Sequence, residues 1–374
     1  MKIKNNLILI YIAFMLFIAF FYVYKSKQNL NNLNQGQSQN QDIKDPSDSD
    51  EKGIETITEE ECKKHVYFLA SDDLEGRMSG KKGNVKAAEY IKSEFESYGL
   101  PTMYDKFKIS RVNPGPKDER GDNFTQNIYA WIEGQDPVLK NEIIVIGAHM
   151  DHIGYGPKMS RSRKIAIHNG ADDNASGTSA LLEIAEAMSK LKLKRTVVFQ
   201  AYSGEEMGLL GSKHYVENPK FPLDSPDIKK HVAMINMDMV GFLNKGYYQA
   251  SFLNANSSVD ITNNIEKLNE KYKFAKKITA RGGGGSDHAC FYNKKIPVAF
   301  LHTGGNKYYH TPEDDPERLN YKGLEMVAKY AFELCFNIAQ EENAPEFNLS
   351  SFKKLQLRHD HGHSDMPFEH YHEH

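Results

Sequence analysis

Hydrophobic residues recur along this chain in two rhythms, and the rhythms alternate. Apolar, β-branched runs at Asn127 to Ile132, Glu142 to Ala148, Arg195 to Tyr202, His231 to Met237 and Ile296 to Leu301 read as buried strands. Amphipathic runs at Ser176 to Lys190, Val259 to Tyr272 and Tyr321 to Ala339 read as helices. Two more helices precede them. Thr58 with Glu61 three positions on makes a capping box, and Cys62, Val66 and Leu69 share one face behind it. From about Asn84 a second stripe runs through Val85, Ala88, Ile91 and Phe95, with Gly99 as its C-cap. Strands alternating with helices predict an α/β fold. It should be a three-layer sandwich with a mixed, mostly parallel central sheet and helices on both faces.

The ends break this pattern. Leu7 to Tyr24 is an apolar run without a charge, with Lys2 and Lys4 before it and Lys25 and Lys27 after it. It sits at the lower limit for crossing a bilayer as a helix. Its bulky end, Phe20-Phe21-Tyr22-Val23-Tyr24, lacks the small residues of a cleavage site. Residues 1–25 therefore read as a membrane anchor, with a cleaved signal segment as the alternative. Either sends the body across the membrane, to a periplasmic or extracellular face, anchored or secreted. Lysines on both flanks leave the orientation open. Residues 26–53 are almost wholly polar and read as a disordered linker. Residues 54–343 form the expected catalytic domain, taken as monomeric. Residues 344–374 read as a polar tail rich in histidine (His359, His361, His363, His370, His372, His374), able to bind metal weakly.

Composition narrows the classes. A formal net charge of -3 and the lack of a basic block argue against a nucleic-acid partner. Cys62, Cys290 and Cys335 are scattered, without metal-ligand spacing or a disulfide framework.

Candidate chemistry gathers in five short motifs: Gly147-Ala148-His149-Met150-Asp151, Gly170-Ala171-Asp172-Asp173-Asn174-Ala175-Ser176-Gly177, Ser203-Gly204-Glu205-Glu206, Asn236-Met237-Asp238 and Tyr309-His310-Thr311-Pro312. Several follow predicted strands directly, where open α/β sheets place their ligand sites. Imidazole and carboxylate are the usual non-sulfur zinc ligands. His149 can bind through one ring nitrogen while Asp151 accepts a hydrogen bond from the other. Asp173 lies in a loop of small residues, where a carboxylate can bridge two ions. Of the pair Glu205-Glu206, one can bind metal and its neighbour can serve as a base toward water. Each motif alone is weak: a lone His-x-Asp is mostly noise, and paired glutamates usually start a solvated helix. Their conjunction in this order is what carries the reading.

These motifs resemble the co-catalytic di-zinc aminopeptidases of metallopeptidase family 28, the bacterial leucyl aminopeptidase-like members in particular. The resemblance spans about Thr58 to Gln340, and includes the opening segment Val66-Tyr67-Phe68-Leu69-Ala70-Ser71-Asp72-Asp73-Leu74-Glu75-Gly76-Arg77. It implies the zinc-peptidase (phosphorylase/hydrolase-like) fold, peptide substrates and two Zn2+ per chain. His149, Asp173 and Asp238 would hold one ion. Asp173, Glu206 and His310 would hold the other, with Asp173 shared. Glu205 would be general base and acid, Asp151 would orient His149, and Tyr309 would help hold the oxyanion. Ser286-Asp287-His288 also matches a family segment, so His288 is expected beside the substrate crevice, not among the ligands. Glutaminyl-peptide cyclotransferases and catalytically silent receptor ectodomains share this fold. A metal-scavenging surface protein is the third alternative.

Overall fold

The computed structural model describes residues 53–109, 123–243, 251–253, 257–274, 277–279 and 285–353. The expected anchor, most of the linker and the histidine-bearing tail lie outside them. Among the described residues no helix is long and apolar enough to cross a membrane.

The chain opens with helix α1 (Glu59–Leu69) and α2 (Lys82–Ser97), then strands β1 (Thr102–Lys108), β2 (Phe124–Ile132) and β3 (Ile143–His149). There follow α3 (Gly177–Met188), β4 (Thr196–Tyr202), α4 (Leu210–Glu217) and β5 (His231–Met237). The last elements are β6 (Ser251–Leu253), α5 (Val259–Tyr272), β7 (Lys277–Thr279), α6 (His288–Asn293), β8 (Val298–His302) and α7 (Tyr321–Gln340). The strands join one eight-stranded sheet in the order β1-β2-β4-β3-β5-β8-β6-β7. The central four, β4-β3-β5-β8, run parallel. Antiparallel pairings of β1 with β2, β2 with β4, and β6 with β8 make the sheet mixed.

Alternation along the central strands fills two cores. Ile144, Ile146, Val197, Phe199, Ala233 and Ile235 pack on one face against α1, α2, α3, α5 and α7. Their neighbours Ile143, Val145, Val198 and Met234 pack on the other, with Tyr215 of α4 and Phe291 of α6. This is the expected three-layer sandwich. Burial on both faces explains why these strands read as continuous apolar runs.

Local chemistry sets the element ends. Thr58 Oγ1 accepts the Glu61 N–H at 3.2 Å and starts α1. Gly99 takes a left-handed φ of 78°, and the Leu100 N–H returns to the Phe95 carbonyl at 3.1 Å, closing α2. Two boundaries differ from the sequence reading. Helix α2 starts at Lys82, and Val85 is exposed while Asn84 is buried. Gly83 causes this: a Cβ there would stand 1.7 Å from the Leu74 carbonyl oxygen, so the first turn leans on that loop and turns Val85 outward. The ordered body also continues past residue 343, because Phe347 and Phe352 dock on Tyr292 with centroids 5.5 and 5.3 Å away.

Candidate metal centre

The central parallel strands end on one edge of the sheet, and the candidate residues follow those ends. His149 closes β3, with Asp151 and His152 just beyond it. Glu205 and Glu206 follow β4, Asp238 follows β5, and His310 lies in the loop after β8. Asp173 sits in the turn Ala171–Ser176 that leads into α3. His149, His152, Asp173, Glu206, Asp238 and His310 are all buried, and Glu205 is partly exposed.

These side chains form two adjoining clusters of potential ligands. One holds His149, Glu205 and Asp238; the other holds His152, Asp173, Glu206 and His310. Asp173 faces both. Its Oδ1 lies 3.3 Å from His149 Nε2, and its Oδ2 lies 3.2 Å from His310 Nε2. Asp238 Oδ1 is 3.3 Å from His149 Nε2, and Glu206 Oε2 is 3.1 Å from His310 Nε2.

The rings are oriented from behind. His149 Nδ1 donates to the Asp151 backbone carbonyl at 3.2 Å, and His310 Nδ1 donates to the Met159 carbonyl at 3.1 Å. A carbonyl only accepts, so Nδ1 carries the proton and Nε2 is turned toward the carboxylates. Both Nε2 atoms are buried and make no hydrogen bond there. Nitrogens and oxygens converging without hydrogen-bond geometry fit a divalent cation, and imidazole with carboxylate suits zinc.

The loops beneath are tied by buried polar groups. Arg77 is fully buried; its Nε donates to the Met150 carbonyl at 2.9 Å and its Nη2 to Gly170 at 3.0 Å, while Nη1 reaches the carbonyls of Leu69 and Asn169. Asp314 accepts the backbone N–H groups of Asp172 and Asp173 at 3.1 Å. Asp172 points away from the clusters and accepts from Gly241 N–H at 2.8 Å and Asn306 Nδ2 at 2.7 Å. Asp173 can thus be offered to a cation while its neighbour holds the loop.

Charge follows from these neighbours. Burial and the nearby Glu206 push the Glu205 carboxyl well above its usual range, with His149 opposing. Burial also penalises charge on Glu206, but His310 and the His152 hydrogen bond pull it down to about 2. Burial opposes charge on Asp173 too, yet His152, His149 and His310 hold it well below the carboxylate range. The environments of these adjacent glutamates thus drive their pKa values in opposite directions.

The structure departs from the sequence reading at Asp151, and it places Tyr309 and His288 as follows. Asp151 offers His149 its backbone carbonyl; its carboxylate is 3.8 Å from Nδ1 and instead accepts from Ser79 Oγ and the Glu205 N–H. Tyr309 stacks on the His310 ring at 3.9 Å, beneath the Arg161 guanidinium at 4.6 Å. His288 is buried against Phe300, centroids 4.4 Å apart, and stands in neither ligand cluster. His152 is the residue sequence reasoning missed. Its signal was there, in a second histidine directly after His149-Met150-Asp151.

Comparison with known proteins gives the same family. The chain is 29% identical over 232 residues to "Aminopeptidase YwaD" of Bacillus subtilis, covering 59% of this chain and 46% of that protein. It thus spans about half the length of the first relatives it matches. The structure of BSAP, a zinc aminopeptidase from Bacillus subtilis, superposes with a TM-score of 0.64 at 18% identity, covering 77% of this chain and 97% of that one. Porphyromonas gingivalis glutaminyl cyclase superposes with a TM-score of 0.60 at 19% identity, covering 74% and 97%. At such identities the two structures share the fold. Residues 127–335, more than half of the chain, match the sequence profile of Peptidase family M28, and the chain belongs to that family.

Proposed function

We propose that this chain is a zinc-dependent aminopeptidase that removes N-terminal residues from peptides at a site for two Zn2+. The observation that carries the reading is Asp173, whose two oxygens face the two clusters separately. His149 and Asp238 complete one position; Glu206 and His310 complete the other. When bound, zinc ions lower the pKa of water and polarise a substrate carbonyl.

The chain's own groups do the rest. Glu205, beside His149 and Asp238, is placed to take a proton from the attacking water and pass it to the leaving amine. Glu206, pulled down to about 2, stays a carboxylate throughout. Burial raises the Tyr309 phenol well above its usual range, so the hydroxyl keeps its proton and can donate toward the oxyanion. Asp151, bonded to the Glu205 N–H, sets the glutamate pair in place. The apolar run Leu7 to Tyr24 supports an exported body, anchored or released.

The test is zinc content with turnover of a panel of aminoacyl chromogenic substrates. Two zinc ions in the site and release of the chromophore are expected. Glu205→Gln should keep its zinc and lose turnover by about a hundredfold or more. Unchanged turnover in that variant would remove Glu205 from the proton role. The likeness to a glutaminyl cyclase favours a second reading, cyclisation of N-terminal glutamine. Ammonia release from a glutamine-leading peptide, with no shortening, would select it.

A further inference from the structure

His152 faces the site the other way round from its neighbours. His149 and His310 turn Nδ1 to a backbone carbonyl and present Nε2 to the carboxylates. His152 instead presents Nδ1, which lies 2.8 Å from Glu206 Oε1 and 3.7 Å from Asp173 Oδ2. The ring is wedged in this pose. A Cβ at Gly170 would stand 2.5 Å from its Cδ2 and Cγ, and the His310 ring meets it edge-on with centroids 5.5 Å apart.

The two oxygens of Glu206 are thereby divided. Oε1 is taken by His152 and Oε2 is left 3.1 Å from His310 Nε2. A contact of 2.8 Å is that of a charge-assisted hydrogen bond. A carboxylate free to turn can hold a cation through one oxygen or both. One that accepts a fixed N–H at one oxygen is committed to the other.

We infer that His152 is a positioning residue for Glu206, and that it gives the two cation positions unequal support. The inference rests on the two-cation reading above. The position of Asp173, Glu206 and His310 depends on His152; the position of His149, Asp173 and Asp238 does not.

Zinc titration calorimetry on the full chain tests this, with metal analysis at each step. His152→Phe keeps a ring against Gly170 and removes the donor. His152→Asn returns an N–H close to where Nδ1 stood. The histidines near the carboxyl end are the same in every variant, so differences report on the site.

In His152→Phe one zinc position should weaken by about 10- to 100-fold while the other holds its affinity. His152→Asn should recover most of that loss. Unchanged affinities in His152→Phe overturn the inference, as does equal weakening of both positions. Failure of His152→Asn to recover, with a Co2+ spectrum of lower coordination number, makes His152 a direct ligand and overturns the positioning role. Should His152→Phe not fold without metal, His152→Ala replaces it in the same comparison. A wild-type site that takes up fewer than two zinc ions sinks the parent reading instead, before any variant is compared.

Discussion

The backbone N–H of Glu205 donates to the Asp151 carboxylate at 3.2 Å, so a residue two places past His149 holds the turn that carries both glutamates. Ser79 Oγ donates to the second oxygen at 3.1 Å, and Ser79 in turn meets Ser203 Oγ at 2.7 Å. Replacing Asp151 should therefore disturb the base more than the metal. Asp151→Asn keeps an acceptor and is expected to lose about 10- to 100-fold in kcat/KM, with zinc content held. Asp151→Ala should lose more. Steady-state kinetics beside metal analysis reads both, and full activity in the alanine variant would refute the coupling.

Arg77 binds four carbonyl groups from three separate stretches of chain, and burial lowers its guanidinium only to about 10, still charged at neutral pH. A lysine has no fork to span them. Arg77→Lys should destabilise the fold by about 3 kcal/mol, since hydrogen bonds from a charged donor contribute more than neutral ones. Urea unfolding measures it. A midpoint like that of wild type would mean the loops hold without the clamp.

His231 gives the fold an acid-sensitive element far from the site. It opens β5, with Tyr215 Oη 2.7 Å from its Nε2 and the Asp227 carbonyl 3.2 Å from its Nδ1. Burial lowers its pKa to about 4, below the unfolded value of about 6.5. The unfolded chain then binds the proton more readily. This contribution is fully present above about pH 6.5 and is lost as pH falls through about 4. It amounts to something on the order of 3 kcal/mol. His231→Gln should flatten the stability profile across that interval. Parallel profiles for the two chains from pH 7.5 to 4 would exclude His231 as the source.

His65 and Glu183 tie α1 to α3 in a fully buried contact of 3.1 Å, and Tyr90 Oη occupies the other ring nitrogen at 2.7 Å. Removing one partner strands the other. Glu183→Ala should cost about 3–5 kcal/mol. The double variant His65→Leu with Glu183→Met should cost less than the two single changes together. A double-mutant cycle on chemical denaturation gives the coupling, and strict additivity would deny it.

Much of this molecule was legible because buried parallel strands are simple to read. His149, Glu205 and Asp238 each stand at or just past the end of a buried, mostly apolar strand, so strand end and candidate site residue are legible together. Strand β1 was not found, because at the sheet's edge only Asp105 and Phe107 of its residues are buried. The contacts of the Asp151 carboxylate are not legible in the sequence because they are made with Ser79 and Glu205, partners brought in by other segments. The pose of His152, though not its presence beside the motif, is hidden for a similar reason. Its ring orientation is set by Gly170, across a loop whose path no local pattern encodes.

The order of the sheet also has a consequence for how the protein is born. His310 comes after β8, so it is the last member of its cluster to be synthesised. Until then, Asp173 and Glu206 lack the imidazole that stands against both of them in the finished fold. A product broken off before β8 would lack both this group and the strand that pairs with β5. Such a fragment should stay open and fall to quality-control proteases, so cells would accumulate finished molecules and few partial ones.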